Sequence, residues 1–292
     1  SLLSHEAPTE MAVEALRNLR TSLHFGMLDK TNGVVAITGP SPEVGKSFVT
    51  LNLGYLAAQA GARVLIVDAD LRRGTIGKAF DLERSTEGLS DVLSGHTSIE
   101  SAIHRVEVNS VGDVTSAPDE DICRDWTVSF NQNGATQNSR GKPLSLAVGD
   151  TVLEIPTELT LQLDVSDRGN VETHARLDIV PRGKAPPNPS ELLMHIRFSE
   201  FISQMSEQYD LVLLDTPPVL AATDALIASK YADMSLVVVC HGKTRITEYQ
   251  QVLKMFQQNQ SSVTGVVLNN YDPKNGRYGA YGETYGYQYD YR

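Results

Sequence analysis

The stretch Gly39-Pro40-Ser41-Pro42-Glu43-Val44-Gly45-Lys46-Ser47 decides the fold of this 292-residue chain. A short apolar run at 34–38 precedes it, and a segment with a helical pattern at 46–60 follows it. A glycine-containing loop between a buried strand and a helix is the context of a phosphate-binding P-loop. Such a loop turns backbone N–H groups toward phosphate, and the helix adds the positive end of its dipole. The sequence therefore predicts a nucleotide-binding α/β protein.

The residues of the loop have separate expected tasks. Lys46 brings a positive charge to the β- and γ-phosphates, and the Ser47 hydroxyl is a candidate Mg²⁺ ligand. The loop departs from the usual pattern because five residues separate its two glycines and Pro40 stands where a glycine is expected. We expect ATP and Mg²⁺ as the cofactors. The predicted nucleotide contacts are Gly39, Glu43, Val44, Gly45, Lys46, Ser47 and Phe48.

Outside the loop, continuous apolar runs alternate with helical segments. The runs typical of buried strands are 64–67, 211–214, 236–240 and 263–268, and the helical segments are 190–206, 223–231 and 244–260. The helix at 190–206 is expected to begin with Asn188 as its cap and Pro189 in its first position. This alternation predicts an α/β fold of the P-loop NTPase type, with a mostly parallel sheet covered by helices on both faces.

Acidic residues follow two of the predicted strands. Asp68-Ala69-Asp70-Leu71-Arg72 comes after the first, and Asp215-Thr216-Pro217-Pro218 comes after the second. Ligands of open parallel sheets bind at the carboxyl ends of the strands, so we expect Asp68, Asp70 and Asp215 to lie near the P-loop. If the strand continues to Asp70, its two carboxylates share a side, because alternate residues of a strand face the same way. Carboxylate, hydroxyl and phosphate oxygens suit a hard cation such as Mg²⁺.

Residues 109–174 break the α/β pattern. Apolar and polar side chains alternate at 126–130, 144–148 and 159–165, which is typical of half-exposed antiparallel strands. We predict a small all-β module inserted into a loop of the α/β domain. The expected organisation is a helical arm at 1–30, a P-loop core at 31–108 and 175–268, the inserted module at 109–174 and a tail at 269–292.

Both ends of the chain carry a distinct pattern. Near the start, Ala12, Leu16, Leu19 and Leu23 form the apolar stripe of an amphipathic helix. The tail holds seven of the 11 tyrosines and no long aliphatic residue, so we expect it to be flexible. Those tyrosines are Tyr271, Tyr278, Tyr281, Tyr285, Tyr287, Tyr289 and Tyr291.

Composition excludes several classes of protein. The net charge of −11 makes sequence-independent binding of nucleic acid a poor fit, because such binding depends on cations that neutralise phosphates. The two cysteines, Cys123 and Cys240, are far apart in sequence and predict neither a disulfide framework nor a cysteine metal site. The seven histidines show no metal-ligand spacing, and no apolar run has the length of a membrane span.

The motifs together resemble those of the bacterial tyrosine kinases, or BY-kinases, in particular the cytoplasmic domains of polysaccharide co-polymerases. The resemblance rests on the P-loop at 39–47, the second motif at 68–72 and the Asp-x-x-Pro motif at 215–218. Glu14, Arg17 and Arg20 match the family's E-x-x-R-x-x-R helix. The stretch at 181–193 is similar to co-polymerase members, and the tyrosine-rich end resembles an autophosphorylation tail. The resemblance covers about 10–108 and 175–292, and the insert matches nothing in the family.

The resemblance implies a tyrosine autokinase that depends on ATP and Mg²⁺. Lys46 then serves the phosphates, and Ser47 with Asp70 and Asp215 serves Mg²⁺. Asp68 is the candidate that orients or deprotonates the phenol, although an exchange of roles with Asp70 stays open. Arg72 either stabilises charge or holds its loop. The phosphoacceptors are Tyr278, Tyr281, Tyr285, Tyr287, Tyr289 and Tyr291.

The resemblance also implies partners. Glu14, Arg17 and Arg20 are expected to form contacts of a ring-like homo-oligomer in which one subunit phosphorylates the tail of the next. A cognate protein-tyrosine phosphatase and the machinery of polysaccharide polymerisation and export are the further expected partners. The expected location is the cytoplasmic face of the bacterial inner membrane, with any anchor in a part that precedes Ser1. Some members carry a tyrosine that gates the site, but Thr75 stands at that position here.

Two alternatives remain open from sequence. The first is a switch ATPase of the partitioning type, although Pro40 and Ser41 occupy the region where such proteins carry a lysine that reaches across a dimer. The second is a scaffold whose β insert binds a partner while the ATP site is vestigial.

Overall fold

The computed structural model of the chain describes residues 11–27, 30, 32–83, 85–106, 108 and 176–271, together with the backbone of short strands at 128–129, 144–148, 151–155 and 160–161. Two compact units are present. One comprises Ser1–Ser110 with His174–Arg292, and the other comprises Val111–Thr173. The predicted phosphoacceptor tyrosines and Cys123 lie outside the described residues.

A seven-stranded sheet forms the centre of the first unit. Its strands are β1 (Val34–Thr38), β2 (Arg63–Asp68), β3 (His104–Val106), β8 (Arg176–Val180), β9 (Leu211–Asp215), β10 (Met234–Cys240) and β11 (Gly265–Asn269). They are arranged in the order β11-β10-β1-β9-β2-β8-β3. Every neighbouring pair is parallel except β3 with β8, which is antiparallel. The predicted P-loop α/β class is confirmed.

Nine helices are present among the described residues of this unit. They are α1 (Met11–Met27), α2 (Lys46–Gln59), α3 (Ile76–Ala79), α4 (Leu89–Ser94), α5 (Ile99–Ala102), α6 (Pro189–Met194), α7 (Ile196–Gln208), α8 (Asp224–Ser229) and α9 (Ile246–Gln258). In the described part of the chain, no helix combines the length and the apolar character needed to cross a membrane.

The single helix predicted at 190–206 is in fact two. His195 has an extended backbone (φ −70°, ψ 147°), and its ring Nδ1 accepts a hydrogen bond from the N–H of Arg197, so it caps α7. Pro189 takes the first position of α6 as expected. Asn188, however, does not cap the backbone, because its side-chain amide donates to the carboxylate of Glu191 instead.

The strands bury apolar side chains on both faces of the sheet, as a parallel sheet requires. Val35 and Ile37 pack on the face covered by α1 and α2, whereas Val34 and Ala36 pack on the opposite face with Phe198 and other residues of α7. Full burial of such a side chain contributes about 1.5–3 kcal/mol, so the strand–helix layers hold the P-loop strand firmly.

The apolar stripe predicted for α1 is partly wrong. Leu16 and Leu23 are buried, but Val13 rather than Ala12 completes the buried set, and Ala12 is exposed. The 3.6-residue period allows either residue on the inner face, and packing selects the larger valine.

The second unit contains two antiparallel pairs of strands. β4 (Val128–Ser129) pairs with β7 (Thr160–Leu161), and β5 (Leu144–Val148) pairs with β6 (Thr151–Ile155). The antiparallel strand at 144–148 was predicted, whereas its partner β6 was missed.

Candidate active site

The predicted acids lie at the carboxyl edge of the sheet, beside the P-loop. β9 is flanked by β1 on one side and by β2 on the other. In this register Asp215 pairs with Ile37 of β1 and with Asp68 of β2. Since β1 leads directly into the P-loop, the fold brings two carboxylates and the phosphate-binding loop to one place.

Asp68 and Asp70 were predicted to share a side if the strand continued to Asp70, but the strand ends before that residue. β2 ends at Asp68, and the Asp70 carboxylate accepts hydrogen bonds from the backbone N–H groups of Arg72 and Arg73 at 3.2 and 2.8 Å. The turn that these bonds close ends the extended geometry, because a short aspartate side chain competes with strand pairing for backbone donors.

Gly45 gives the P-loop its geometry. Its φ of 96° lies in the left-handed region, where glycine is preferred, and it immediately precedes α2. A Cβ at this position would lie 2.0 Å from Nδ2 of Asn269. That amide donates to the carbonyl of Val44 at 3.0 Å, so the end of β11 fastens the loop.

Lys243, in the loop after β10, makes a second contact that holds the P-loop. Its ammonium lies 3.1 Å from the Glu43 carboxylate and 3.3 Å from the Glu43 carbonyl. Glu43 itself has a φ of 59°, an uncommon conformation for a residue other than glycine. Gly39, at the start of the loop, accepts a hydrogen bond from the N–H of Val219 at 2.9 Å.

Hydroxyl groups surround the Asp215 carboxylate. Ser47 donates to it at 2.5 Å and Thr50 donates at 3.3 Å. The Thr75 hydroxyl in turn donates to the Ser47 oxygen at 3.1 Å. Ser47 and Asp215, both predicted metal ligands, are therefore in direct contact, and Thr75 is linked to them through the Ser47 hydroxyl.

Asp68 has one oxygen without a partner. Its Oδ2 accepts a hydrogen bond from the N–H of Ile76 at 3.0 Å, whereas its Oδ1 is buried and has no hydrogen-bond partner among the described residues. Gly74 permits this arrangement, because a Cβ there would lie 2.5 Å from Oδ2. A buried carboxylate oxygen without a partner is costly, which points to a ligand group that completes the site.

The burial of these charges shifts their pKa values. Desolvation and the nearby Asp215 raise the pKa of Asp68 well above its usual value. Desolvation also raises the pKa of Asp215 to about 6, although the Ser47 hydroxyl and Lys46 oppose the change. For Lys46, burial lowers the pKa, and this effect outweighs the attraction of Asp215 and Asp70. An added cation would relieve the mutual repulsion of the two carboxylates.

Arg72 faces a buried carboxylate rather than the acids of the site. Its guanidinium donates to both oxygens of Asp224 at 2.7 and 3.2 Å, and to the Ser190 hydroxyl at 3.1 Å. Asp224 is fully buried at the start of α8. These contacts hold the loop after β2 against α6 and α8.

A cavity of about 420 Å³ opens beside Asp68. Gly74, Thr75, Lys78 and Arg182 are among the residues that line it. Its volume falls in the range of roughly 300–1,000 Å³ that is typical of ligand clefts. The unpartnered carboxylate thus lies next to a space that a substrate side chain can enter.

The predicted oligomerisation residues are placed on α1, at a different location. Glu14 and Arg17 form an ion pair with each other on the helix surface. Arg20 instead donates to the Leu56 carbonyl of α2 at 3.0 Å, and burial lowers its pKa. Arg20 therefore makes an intrachain contact that the helical pattern did not indicate.

The contacts of four polar residues near the P-loop were not predicted from the sequence. Thr50 is one helical turn after Lys46, and Asn269 directly follows the predicted strand at 263–268, at the same carboxyl edge as the acids, so both had a detectable signal. Thr75 was named only as the residue at the gate position, and Lys243 comes from an irregular segment, so no spacing pattern indicated their contacts.

The donors of the site suit a divalent cation that is shared with phosphate. Among the described residues, no group of three or more His, Cys, Asp or Glu side chains is close enough to hold a metal ion by itself. Mg²⁺, however, is commonly held by one or two carboxylates together with substrate phosphates and water. The Ser47 hydroxyl and the Asp215 carboxylate, which are in contact at 2.5 Å, form such an oxygen-only donor set.

Comparison with known proteins agrees with this geometry. The family model described as the CobQ/CobB/MinD/ParA nucleotide binding domain matches residues 35–279. Tyrosine-protein kinase wzc of Salmonella typhimurium is 34% identical over 291 residues, which is 100% of this chain and 31% of that protein. The putative tyrosine-protein kinase EpsB of Ralstonia solanacearum is 35% identical over 289 residues, which is 99% of this chain and 30% of that protein.

Solved structures give the same result. The kinase domain of Escherichia coli tyrosine kinase ETK superimposes with a TM-score of 0.66 at 29% identity, covering 92% of this chain and 79% of that one. The chain spans about a third of the length of the curated relatives it matches. The predicted resemblance to bacterial tyrosine kinases is confirmed, and the chain belongs to the family of the CobQ/CobB/MinD/ParA nucleotide binding domain.

Proposed function

We propose that this chain is an ATP- and Mg²⁺-dependent tyrosine autokinase that phosphorylates the tyrosines of its own C-terminal tail. The observation that carries the proposal is the buried, unpartnered Oδ1 of Asp68 beside Asp215 and a cavity. The kinase names of the relatives support the same reaction class. The fold alone does not select this activity, because one fold hosts many reactions.

Lys46 and the amides of the P-loop bind the phosphates of ATP. The pKa of the Lys46 ammonium is lowered by burial, but Asp215 and Asp70 favour its charged form. Asn269 and Lys243 hold the loop conformation through Val44 and Glu43. Preorganised donors of this kind supply most of the rate of phosphoryl transfer, which needs positioning and charge stabilisation above all.

Asp68 receives the proton of the incoming phenol. The phenol oxygen bonds to the γ-phosphorus as the bond between that phosphorus and the bridging oxygen breaks, and ADP leaves. Because a tyrosine hydroxyl has a pKa near 10, a carboxylate with a raised pKa is a better acceptor than an ordinary aspartate. The cavity beside Asp68 admits the phenol ring.

Ser47 and Asp215 would hold Mg²⁺, and Asp70, whose charge acts on Asp215, would add a further carboxylate to the site. When bound, the ion neutralises charge that develops on the transferring phosphoryl group. Arg72 acts as a positioning residue, because its guanidinium is engaged with Asp224.

Variants of Asp68 and of the loop lysine test this assignment. We expect Asp68→Asn to retain ATP binding in equilibrium dialysis and to lose phosphotyrosine formation, because only proton acceptance is removed. Lys46→Met is expected to lose both. Glu200→Gln is the matched control, since Glu200 is exposed on α7 and does not line the cavity beside Asp68. Unchanged phosphotyrosine formation in Asp68→Asn would exclude the proton-acceptor role.

We further propose phosphorylation in trans within a ring-like homo-oligomer, through Glu14 and Arg17 of α1. Arg20 is a poor test residue, because its replacement also removes the contact with the Leu56 carbonyl. Glu14→Ala with Arg17→Ala is the sharper variant, and we expect monomers by light scattering. Oligomers of unchanged size in this variant would refute the role of α1.

The whole protein is proposed to regulate the synthesis and export of a polysaccharide at the cytoplasmic face of the inner membrane. A cognate phosphatase and the polymerisation and export machinery are its proposed partners. This setting follows from the resemblance to polysaccharide co-polymerases, whereas the names of the relatives, of which this chain covers about a third, state only the kinase activity. The module at 109–174 is proposed as an accessory unit without a part in the reaction.

A further inference from the structure

A second, larger cavity lies away from the acids, between α1 and β11. This groove has a volume of about 850 Å³ and is lined by residues such as Ala12, Ala15, Leu19, Phe48, Val266 and Leu268. None of the described residues that line it carries a charge. Val266 and Leu268 are 47% and 53% exposed, so the groove leaves large apolar side chains in water.

The groove also borders a free sheet edge. β11 is the last strand of the sheet on this side and pairs only with β10 among the described strands. An edge strand presents backbone N–H and C=O groups that can pair with another extended segment. An apolar groove next to such an edge is the setting in which an added strand gains main-chain hydrogen bonds and side-chain burial together.

The chain itself supplies a segment that fits. In Tyr285-Gly286-Tyr287-Gln288-Tyr289-Asp290-Tyr291 the four tyrosines occupy every second position. Extended residues two apart share a face, so a strand of this sequence presents four aromatic rings on one side. The small side chains of Ala12 and Ala15 leave space for rings above α1.

The path of the chain places this segment within reach. Tyr271 lines the groove, and the φ of 56° at Asn270 turns the backbone at the end of β11. The thirteen residues 272–284 span up to about 40 Å, whereas a five-residue strand is only about 17 Å long. A return beside β11 is therefore sterically possible, and it would be antiparallel.

From these observations we propose that residues 285–291 of the unphosphorylated tail dock in the same chain as an added antiparallel strand on β11, with their tyrosines in the apolar groove. The charge-free lining makes this a binding site for neutral phenol rings. A phosphate on tyrosine adds about 1.5–2 negative charges, which an uncharged groove cannot compensate. Phosphorylation would then release the segment, so the occupancy of the groove would depend on whether the tail is phosphorylated.

Hydrogen–deuterium exchange of the full chain tests the proposal without any kinase activity. In the phosphatase-treated chain without ATP, we expect the amides of Gly265–Asn269 that face the open edge to exchange about tenfold more slowly than in a chain whose tyrosines 285, 287, 289 and 291 are serine. The fourfold Tyr→Phe chain keeps the rings and should retain the protection, and the fourfold Tyr→Glu chain should lose it.

A groove variant gives the reciprocal test. Val266→Lys places a charge at the docking face and should remove the protection of residues 285–291, whereas Ile246→Lys, at a residue that is 77% exposed on α9, is the matched control. Helical circular dichroism verifies that each variant is folded. Equal exchange of β11 in the native and Tyr→Ser chains would overturn the proposal, as would protection that appears only at high protein concentration and therefore comes from a second copy. Because no step requires ATP, failure here leaves the proposed kinase function intact.

Discussion

The buried carboxylate Asp215 is expected to destabilise the nucleotide-free chain. Burial raises its pKa from 3.8 to about 6, and at about 1.36 kcal/mol per pKa unit its ionised form costs roughly 3 kcal/mol of folding free energy. Replacement by Asn removes this cost but weakens the hydrogen bonds from Ser47 and Thr50, worth about 1 kcal/mol. We therefore predict that Asp215→Asn raises the free energy of unfolding by about 1–3 kcal/mol at pH values above about 7.

The direction of the Asp215 pKa shift determines how the stability difference between the native chain and Asp215→Asn changes with pH. A raised pKa means that the native state binds more protons than the unfolded state between pH 3.8 and about 6. The contribution of Asp215 to stability therefore falls as pH rises through that window. Consequently, the advantage of Asp215→Asn should be largest above about pH 6 and should disappear toward about pH 4.

Urea unfolding followed by helical circular dichroism measures this difference, because all described helices belong to the α/β unit. Glu200→Gln is the control, since it makes the same change from carboxylate to amide at an exposed residue of α7. ATP with Mg²⁺ should stabilise the native chain but not Asp215→Asn, because the variant lacks the carboxylate that holds the ion. A variant that is less stable than the native chain at about pH 8, or a gap that does not depend on pH, would refute the reasoning.

Three other changes have defined outcomes. Gly45→Ala should abolish ATP binding in a dialysis assay, because its Cβ would lie 2.0 Å from the Asn269 amide and its φ is 96°; retained affinity would contradict the loop geometry. Arg72→Ala should lower the free energy of unfolding by about 1–3 kcal/mol in urea, because the buried Asp224 carboxylate loses its charged partner. The loss is limited because the Arg72 side chain is half-exposed, so water can take its place. Proton release on Mg²⁺–ATP binding, measured in two buffers by calorimetry, should be larger near pH 6 than at about pH 8, since Asp215 must deprotonate; equal release at both pH values would exclude that carboxylate as the ligand.

Continuous apolar strands were the most predictable part of the fold. Continuous apolar runs such as 34–38 and 211–214 are typical of strands buried on both faces, so the parallel sheet could be predicted from them. The position of the site at the carboxyl ends of these strands followed from that prediction. β8 was missed because Asp178 interrupts its apolar run. That carboxylate is fully buried and is bonded to the Tyr209 hydroxyl and to Arg176, partners that no local pattern reveals.

The candidate site was predictable where it depends on strand ends. Asp68 and Asp215 come together because the register of β2 and β9 pairs them directly. The contacts of Arg72 and Lys243 depend on the paths of irregular loops, which periodicity does not describe. Arg72 accordingly has a partner in Asp224 that lies 152 residues further along the chain.

Mapping of phosphate after phosphatase treatment and incubation with ATP and Mg²⁺ tests the central claim most directly. Mass spectrometry should find phosphotyrosine within residues 278–291 of the native chain and none in Lys46→Met. Release of inorganic phosphate without modified tyrosine would contradict the kinase and indicate a switch ATPase, and the absence of any turnover would indicate a scaffold.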